Sequence, residues 1–87
     1  MAHGAVLKRM ITARQVRAAR ALLDWSQQTL ADKAVISLNA LVRFEAEAVD
    51  TRSSTVKALQ ITLIRAGVRF WSSSDMGEGV SISIESD

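Results

Sequence analysis

The sequence predicts a mainly α fold of four to five short helices, closed by a C-terminal β-hairpin. Two observations carry this. Between Thr12 and Gly67 apolar residues return every three or four positions, with short polar breaks between the runs. After Gly67 the period drops to two. Val68 and Phe70 alternate with Arg69 and Trp71, and Val80, Ile82 and Ile84 alternate with Ser81, Ser83 and Glu85. No proline or repeat divides the 87 residues, a length suited to one domain with a modest core. Three parts are expected: a flexible tail over 1–11, a helical domain over 12–67 with a two-helix motif at 27–46, and a hairpin over 68–85.

Thr12 begins the first helix. With Gln15 it forms a T-x-x-Q capping box, in which each residue satisfies a free N–H of the other. The helix is expected over about 13–23, burying Val16, Ala19 and Leu23. Arg14, Arg17 and Arg20 recur on an adjoining face. Asp24-Trp25 breaks it and Ser26 caps the next helix, Gln27 to Lys33, with Leu30 and Ala34 inward. Ser37 caps a third helix, Leu38 to about Ala46, burying Leu41 and Phe44. A polar loop follows. Ser54 is placed to cap a fourth helix, and Gly67 to end it in a left-handed conformation. SSSDMGEG, residues 72–79, is expected as a turn-rich connection between the strands. An isolated hairpin is marginal in water, so this one must pack on something.

Composition narrows the function. There is no cysteine, so disulfides and thiolate metal sites are excluded and a reducing cytoplasm fits. No apolar run approaches the roughly 20 residues that span a bilayer, so no membrane partner is expected. The start MAHGAVLKRM lacks the features of a signal peptide. His3 has no neighbours able to complete a metal site. With no paired carboxylates in a credible pocket, no serine near a base and no phosphate-cradling loop, neither an enzyme nor a cofactor is expected. Charge is uneven. Residues 1–43 hold seven Lys and Arg against two Asp, whereas residues 44–87 hold four against seven acidic groups. A basic front half is the footprint expected of a polyanion contact.

The stretch SQQTLADKAVISLNALVRFE, residues 26–45, carries the functional reading. Leu30, Ala34, Ile36, Leu41 and Phe44 are spaced for two short helices meeting steeply over a tight turn. Ala31 is small where they cross. That spacing fits a DNA-reading helix-turn-helix and equally any amphipathic αα-hairpin.

The run from Ile11 to Glu45 resembles the Cro/repressor-like (XRE) helix-turn-helix regulators. The matching elements are VRAARALLDWSQQTLADKA, a turn, and ISLNALVRFE. The likeness continues through DTRSSTVKALQITLIRAGVRF and a Gly-rich turn into a short strand, as in a subgroup of small bacterial regulators. It implies a cytoplasmic homodimer on operator DNA, with repression as the usual outcome. By motif, Leu38, Asn39, Val42 and Arg43 take the outward, base-reading positions of the recognition helix. Gln27 takes the place of the glutamine that reaches a phosphate or that helix. Gln28, Ser37, Arg52, Arg14 and Arg17 fall where phosphate contacts are expected. Three positions depart from the family pattern: Asp24, Val35 and Glu47 stand where glycine is common. A β-branched residue at positive φ is strained, so the turn is expected to keep φ negative at Val35.

A recognition helix need not itself be basic. Flanking phosphate contacts supply most of the affinity, and a few side chains read base edges. Asn39 suits adenine, Arg43 suits guanine, and Leu38, Ala40 or Val42 can meet a thymine methyl. Arg14, Arg17, Arg20, Lys33 and Arg52 supply the charge. Trp25 and Trp71 are expected to pack in the core rather than stack on bases. The alternative is a protein-binding regulator, antiactivator or antitoxin-like, whose reading face is blunted by Leu38, Ala40 and Val42. A protein regulator of the DNA reader is equally compatible.

Dimerisation is expected from the C-terminal half. Val56, Leu59, Leu63 and Ala66 form the buried stripe of the fourth helix, which leaves Ile61 and Ile64 on another face. Together with Val80, Ile82 and Ile84 they form the expected two-fold interface, reading an inverted-repeat operator. The competing expectation is that the hairpin folds over Ile61 and Ile64 and closes a monomer.

Overall fold

The architecture comes from a computed structural model, which describes residues 11–47 and 51–83. Four helices and one hairpin follow in order: α1 (Ala13–Leu23), α2 (Gln27–Ala34), α3 (Leu38–Glu45), α4 (Ser53–Arg65), β1 (Val68–Ser73) and β2 (Gly77–Ile82). No fifth helix occurs among the described residues. Residues 1–10 of the expected tail, and Ile84, lie outside them. Ile11, also assigned to the tail, is instead buried in the core. No helix among the described residues is long and apolar enough to cross a membrane.

The capping box of α1 forms as the sequence predicts. The Gln15 backbone N–H donates to Thr12 Oγ1 at 3.1 Å, and the Thr12 N–H donates to Gln15 Oε1 at 3.0 Å. Ser26 and Ser37 cap α2 and α3 by accepting from the Thr29 and Ala40 N–H groups, both at 3.0 Å. α4 differs from expectation. It starts at Ser53, with Arg52 as N-cap and no side-chain cap bond. The extended backbone of Arg52 (φ −71°, ψ 145°) lets its carbonyl take the first helical bond from Val56, one turn ahead of the buried stripe.

The helix ends carry a second correction. Val35 adopts φ 57°, in the left-handed region that the sequence reading had it avoid. Two bonds hold it there: its own N–H donates to Asp32 O at 3.3 Å, and the Ile36 N–H reaches Ala31 O at 3.0 Å. This Schellman arrangement satisfies the orphan carbonyls of α2. The side chain points into solvent, 87% exposed, so only the local backbone clash opposes it, about 1–2 kcal/mol. Asp24 (φ 61°) ends α1 in the same way, with bonds to Ala21 O and Arg20 O. Glu47 (φ 62°) follows α3. All three non-glycine departures therefore keep the backbone conformation that glycine would supply.

The core gathers one face of every helix. Val16, Leu30, Leu41, Leu59, Leu63 and Val68 are fully enclosed, each contributing about 1.5–3 kcal/mol of burial. Ala19 and Ala31 are also fully buried. β1 and β2 pair antiparallel with Val68 opposite Ile82, Phe70 opposite Val80 and Trp71 opposite Gly79. The strands run further than expected, and only Ser74 to Met76 separate them. Gly77, at φ 77°, allows this three-residue connection to rejoin the ladder. Trp71 is not a core residue. It lies on the outer face, 40% exposed, across its cross-strand partner Gly79. A Cβ at Gly79 would stand 2.4 Å from the indole, so the glycine makes room for the ring.

The inner face of the hairpin returns to the chain's own helices. Phe70 and Val80 pack on the core beside buried Val68. Gln15 fastens the sheet to α1: its Nε2 donates to Trp71 O at 3.2 Å and to Gly79 O at 3.0 Å. Glu78 adds to this attachment, accepting from Thr12 Oγ1 at 3.0 Å and Arg14 Nε at 2.8 Å. The hairpin therefore leans on α1, and leaves Ile61 and Ile64 46% and 50% exposed.

Candidate nucleic-acid interface

α3 is held by its buried side and offers the other. Leu41, Phe44 and Glu45 face inward, while Leu38, Asn39, Val42 and Arg43 are exposed. The four outward positions thus share one accessible face. One side of it is apolar, with Leu38 and Val42 exposed to 38% and 40%, and Asn39 and Arg43 form the other side.

Glu45 fixes the angle of this helix. It is a carboxylate 6% exposed, tied by three side-chain bonds. Arg20 of α1 donates through Nε to Oε2 and through Nη2 to Oε1, both at 2.8 Å. Gln27, at the start of α2, donates Nε2 to Oε1 at 2.9 Å. One carboxylate on α3 therefore joins both preceding helices. Arg20 also donates Nη1 to Trp25 O at 3.1 Å, bridging the α1–α2 break. Arg17 donates Nη1 to the Glu45 carbonyl, which places a cation at the C-terminal end of α3 where the helix dipole favours it.

These bonds place the residues expected at the phosphates. Of the two expected contacts of Gln27, the structure shows the one with α3. Arg20 is half-buried in its ion pair. Arg17 is exposed but engaged with α3, and Arg14 is exposed but paired with Glu78, whose hydrogen bond and charge raise its pKa above the ordinary arginine value. Gln28 is exposed, its amide donating to Asp32 Oδ1 at 2.9 Å within α2. Lys33 is exposed with Nζ 5.2 Å from the Trp25 ring centroid, a cation–π distance. The basic flank of α1 is thus largely occupied in holding the fold together.

A second cationic place lies at the other end of α3. An open depression of about 460 Å³ has Ser37, Asn39, Arg43, Thr51, Arg52 and Thr55 on its walls. It joins the outward face of α3 to the first turn of α4. Arg43 and Arg52 thus stand beside two hydroxyl-bearing helix starts, a setting suited to phosphate oxygens.

Sequence reasoning missed two groups. Glu45 was seen only as the end of a motif, although its place at the end of α3 and the triple spacing of the α1 arginines were both legible. The double use of Gln15 had no sequence signal beyond the capping box. Among the described residues no group of three or more His, Cys, Asp or Glu could hold a metal ion. No protein-family model matches the chain, and no curated protein matches it.

Proposed function

We propose that the protein is a sequence-specific double-stranded DNA-binding regulator that lays α3 in the major groove. The observation that carries this reading is the division of α3. Its inner face is locked by Leu41, Phe44 and the Glu45 bonds, while Leu38, Asn39, Val42 and Arg43 project together into solvent. Asn39 reads adenine, Arg43 reads guanine, and Leu38 and Val42 meet thymine methyls. Arg52, with the Ser37 end of α3, steadies the backbone of the same duplex. Repression follows if the site overlaps a promoter. Two such molecules on an inverted repeat is the arrangement to look for among selected sites.

A protein-binding role for the same face is the second reading. It is favoured by the apolar side of that face, Leu38 and Val42, and by the engagement of three α1 arginines in contacts within the chain. Selection from random duplex DNA, followed by salt titration, separates the two. A DNA reader enriches one motif and loses affinity steeply as salt rises. Failure to enrich any motif at low salt moves the assignment to a protein partner.

A further inference from the structure

The outer face of α4 is built differently from the rest of the surface. Lys57, Ile61, Ile64 and Arg65 fall within about 100° of one another around the helix, opposite the buried stripe of Val56, Leu59 and Leu63. Ile61 and Ile64 are half exposed. Arg69, on β1, continues the same edge. Between α4 and β1 an open groove of about 610 Å³ is bordered by Gln60, Ile64, Gly67, Arg69, Phe70 and Ser83.

The charge here has one sign. Residues 51–74 contain Arg52, Lys57, Arg65 and Arg69 and no acidic residue. The ion pairs Arg14–Glu78 and Arg20–Glu45 lie elsewhere. The acidic balance of the C-terminal half therefore conceals a basic, partly apolar face. A two-fold contact through this face would bring six cations together around four isoleucines, and like charges oppose such a contact. Bare phosphate would pair with the cations but leave the isoleucines wet. A chain with apolar residues on one side and carboxylates on the other satisfies both.

We infer that the outer face of α4 with its adjoining groove docks an acidic amphipathic helix of a second protein. The partner's apolar side covers Ile61 and Ile64 and enters the groove beside Phe70, and its carboxylates meet Lys57, Arg65 and Arg69. This surface shares no residue with the outward face of α3.

Two synthetic helical peptides test this on the full chain. Both carry leucines at i, i+3, i+4 and i+7, one with glutamates and the other with lysines between them. Fluorescence anisotropy should show the glutamate peptide binding at least about tenfold tighter than the lysine peptide. Ile64→Asp should abolish that binding. The combined Lys57→Glu, Arg65→Glu and Arg69→Glu variant should reverse the preference. All the changes are at exposed positions, and a thermal melt checks that each variant folds. Equal binding of the two peptides, or none up to about 1 mM, overturns the inference. So does sedimentation of the protein as a dimer that Ile64→Asp dissociates, which makes a second copy the occupant. Competition between the glutamate peptide and duplex DNA would assign the face to nucleic acid instead. The DNA reading of α3 stands or falls separately, on Asn39 and Arg43.

Discussion

Arg20 and Glu45 meet through two parallel bonds of 2.8 Å, joining the last turn of α1 to the end of α3. The carboxylate is buried and the arginine half-buried. Removing one member of such a pair leaves the other charge unpaired in the interior, at a cost of about 3–5 kcal/mol. Glu45→Ala should therefore lower the melting temperature sharply. Arg20→Lys keeps the charge but loses the planar fork, and should cost less. Urea unfolding measures both, and a Glu45→Ala protein as stable as the parent would disprove this role.

Val35 offers a gain. Glycine at φ 57° carries no Cβ clash but loses more entropy on folding. The balance for Val35→Gly is a net stabilisation of roughly 0.5–1 kcal/mol. A higher denaturation midpoint with an unchanged slope is the expected result. A lower midpoint would mean that the turn does not need the left-handed conformation.

Gly79 and Trp71 should behave as one unit. Gly79→Ala drives a methyl into the indole and should cost about 1–3 kcal/mol. The same change in a Trp71→Ala background should cost much less. A double-mutant cycle reads the difference, and full additivity would show that the ring does not lie over the glycine.

At the proposed DNA face, Asn39→Ala and Arg43→Ala should each weaken the selected site by about 1–3 kcal/mol and relax one base position. Arg52→Ala should weaken all sequences alike and reduce the salt slope by about one. If Arg52→Ala instead changes base preference, the start of α4 lies in a groove rather than on the backbone.

Much of the fold could be read from local patterns. The Thr12–Gln15 box, the caps at Ser26 and Ser37 and the change of period at Gly67 each depend on neighbours within a few residues, and the structure has these, whereas the expected cap at Ser54 gives way to Arg52. Val35 misled because intrinsic preference argues against positive φ, whereas the two backbone bonds that compel it belong to the whole turn. The hairpin turn looked long because serines and glycines favour loops. Its strands are set by cross-strand pairing, and Gly79 serves Trp71 eight residues away. The outward positions of α3 came with the family resemblance, and all four are exposed. The engagement of Arg14, Arg17 and Arg20 could not be read locally, since Glu45 and Glu78 lie 25 to 64 residues away along the chain.

Gln15 gives the molecule a form of bookend. Its oxygen completes the start of α1, and its nitrogen grips β1 and β2 more than 50 residues later. The first helical turn and the last strand therefore belong to one cooperative opening unit, although they stand near opposite ends of the described chain. Amides of α1's first turn and of the hairpin should exchange with solvent at a common rate, and slow together. Because this contact closes so long a stretch of chain, it is expected among the last to form during folding. The turn between α2 and α3, made of near neighbours, can be in place well before it.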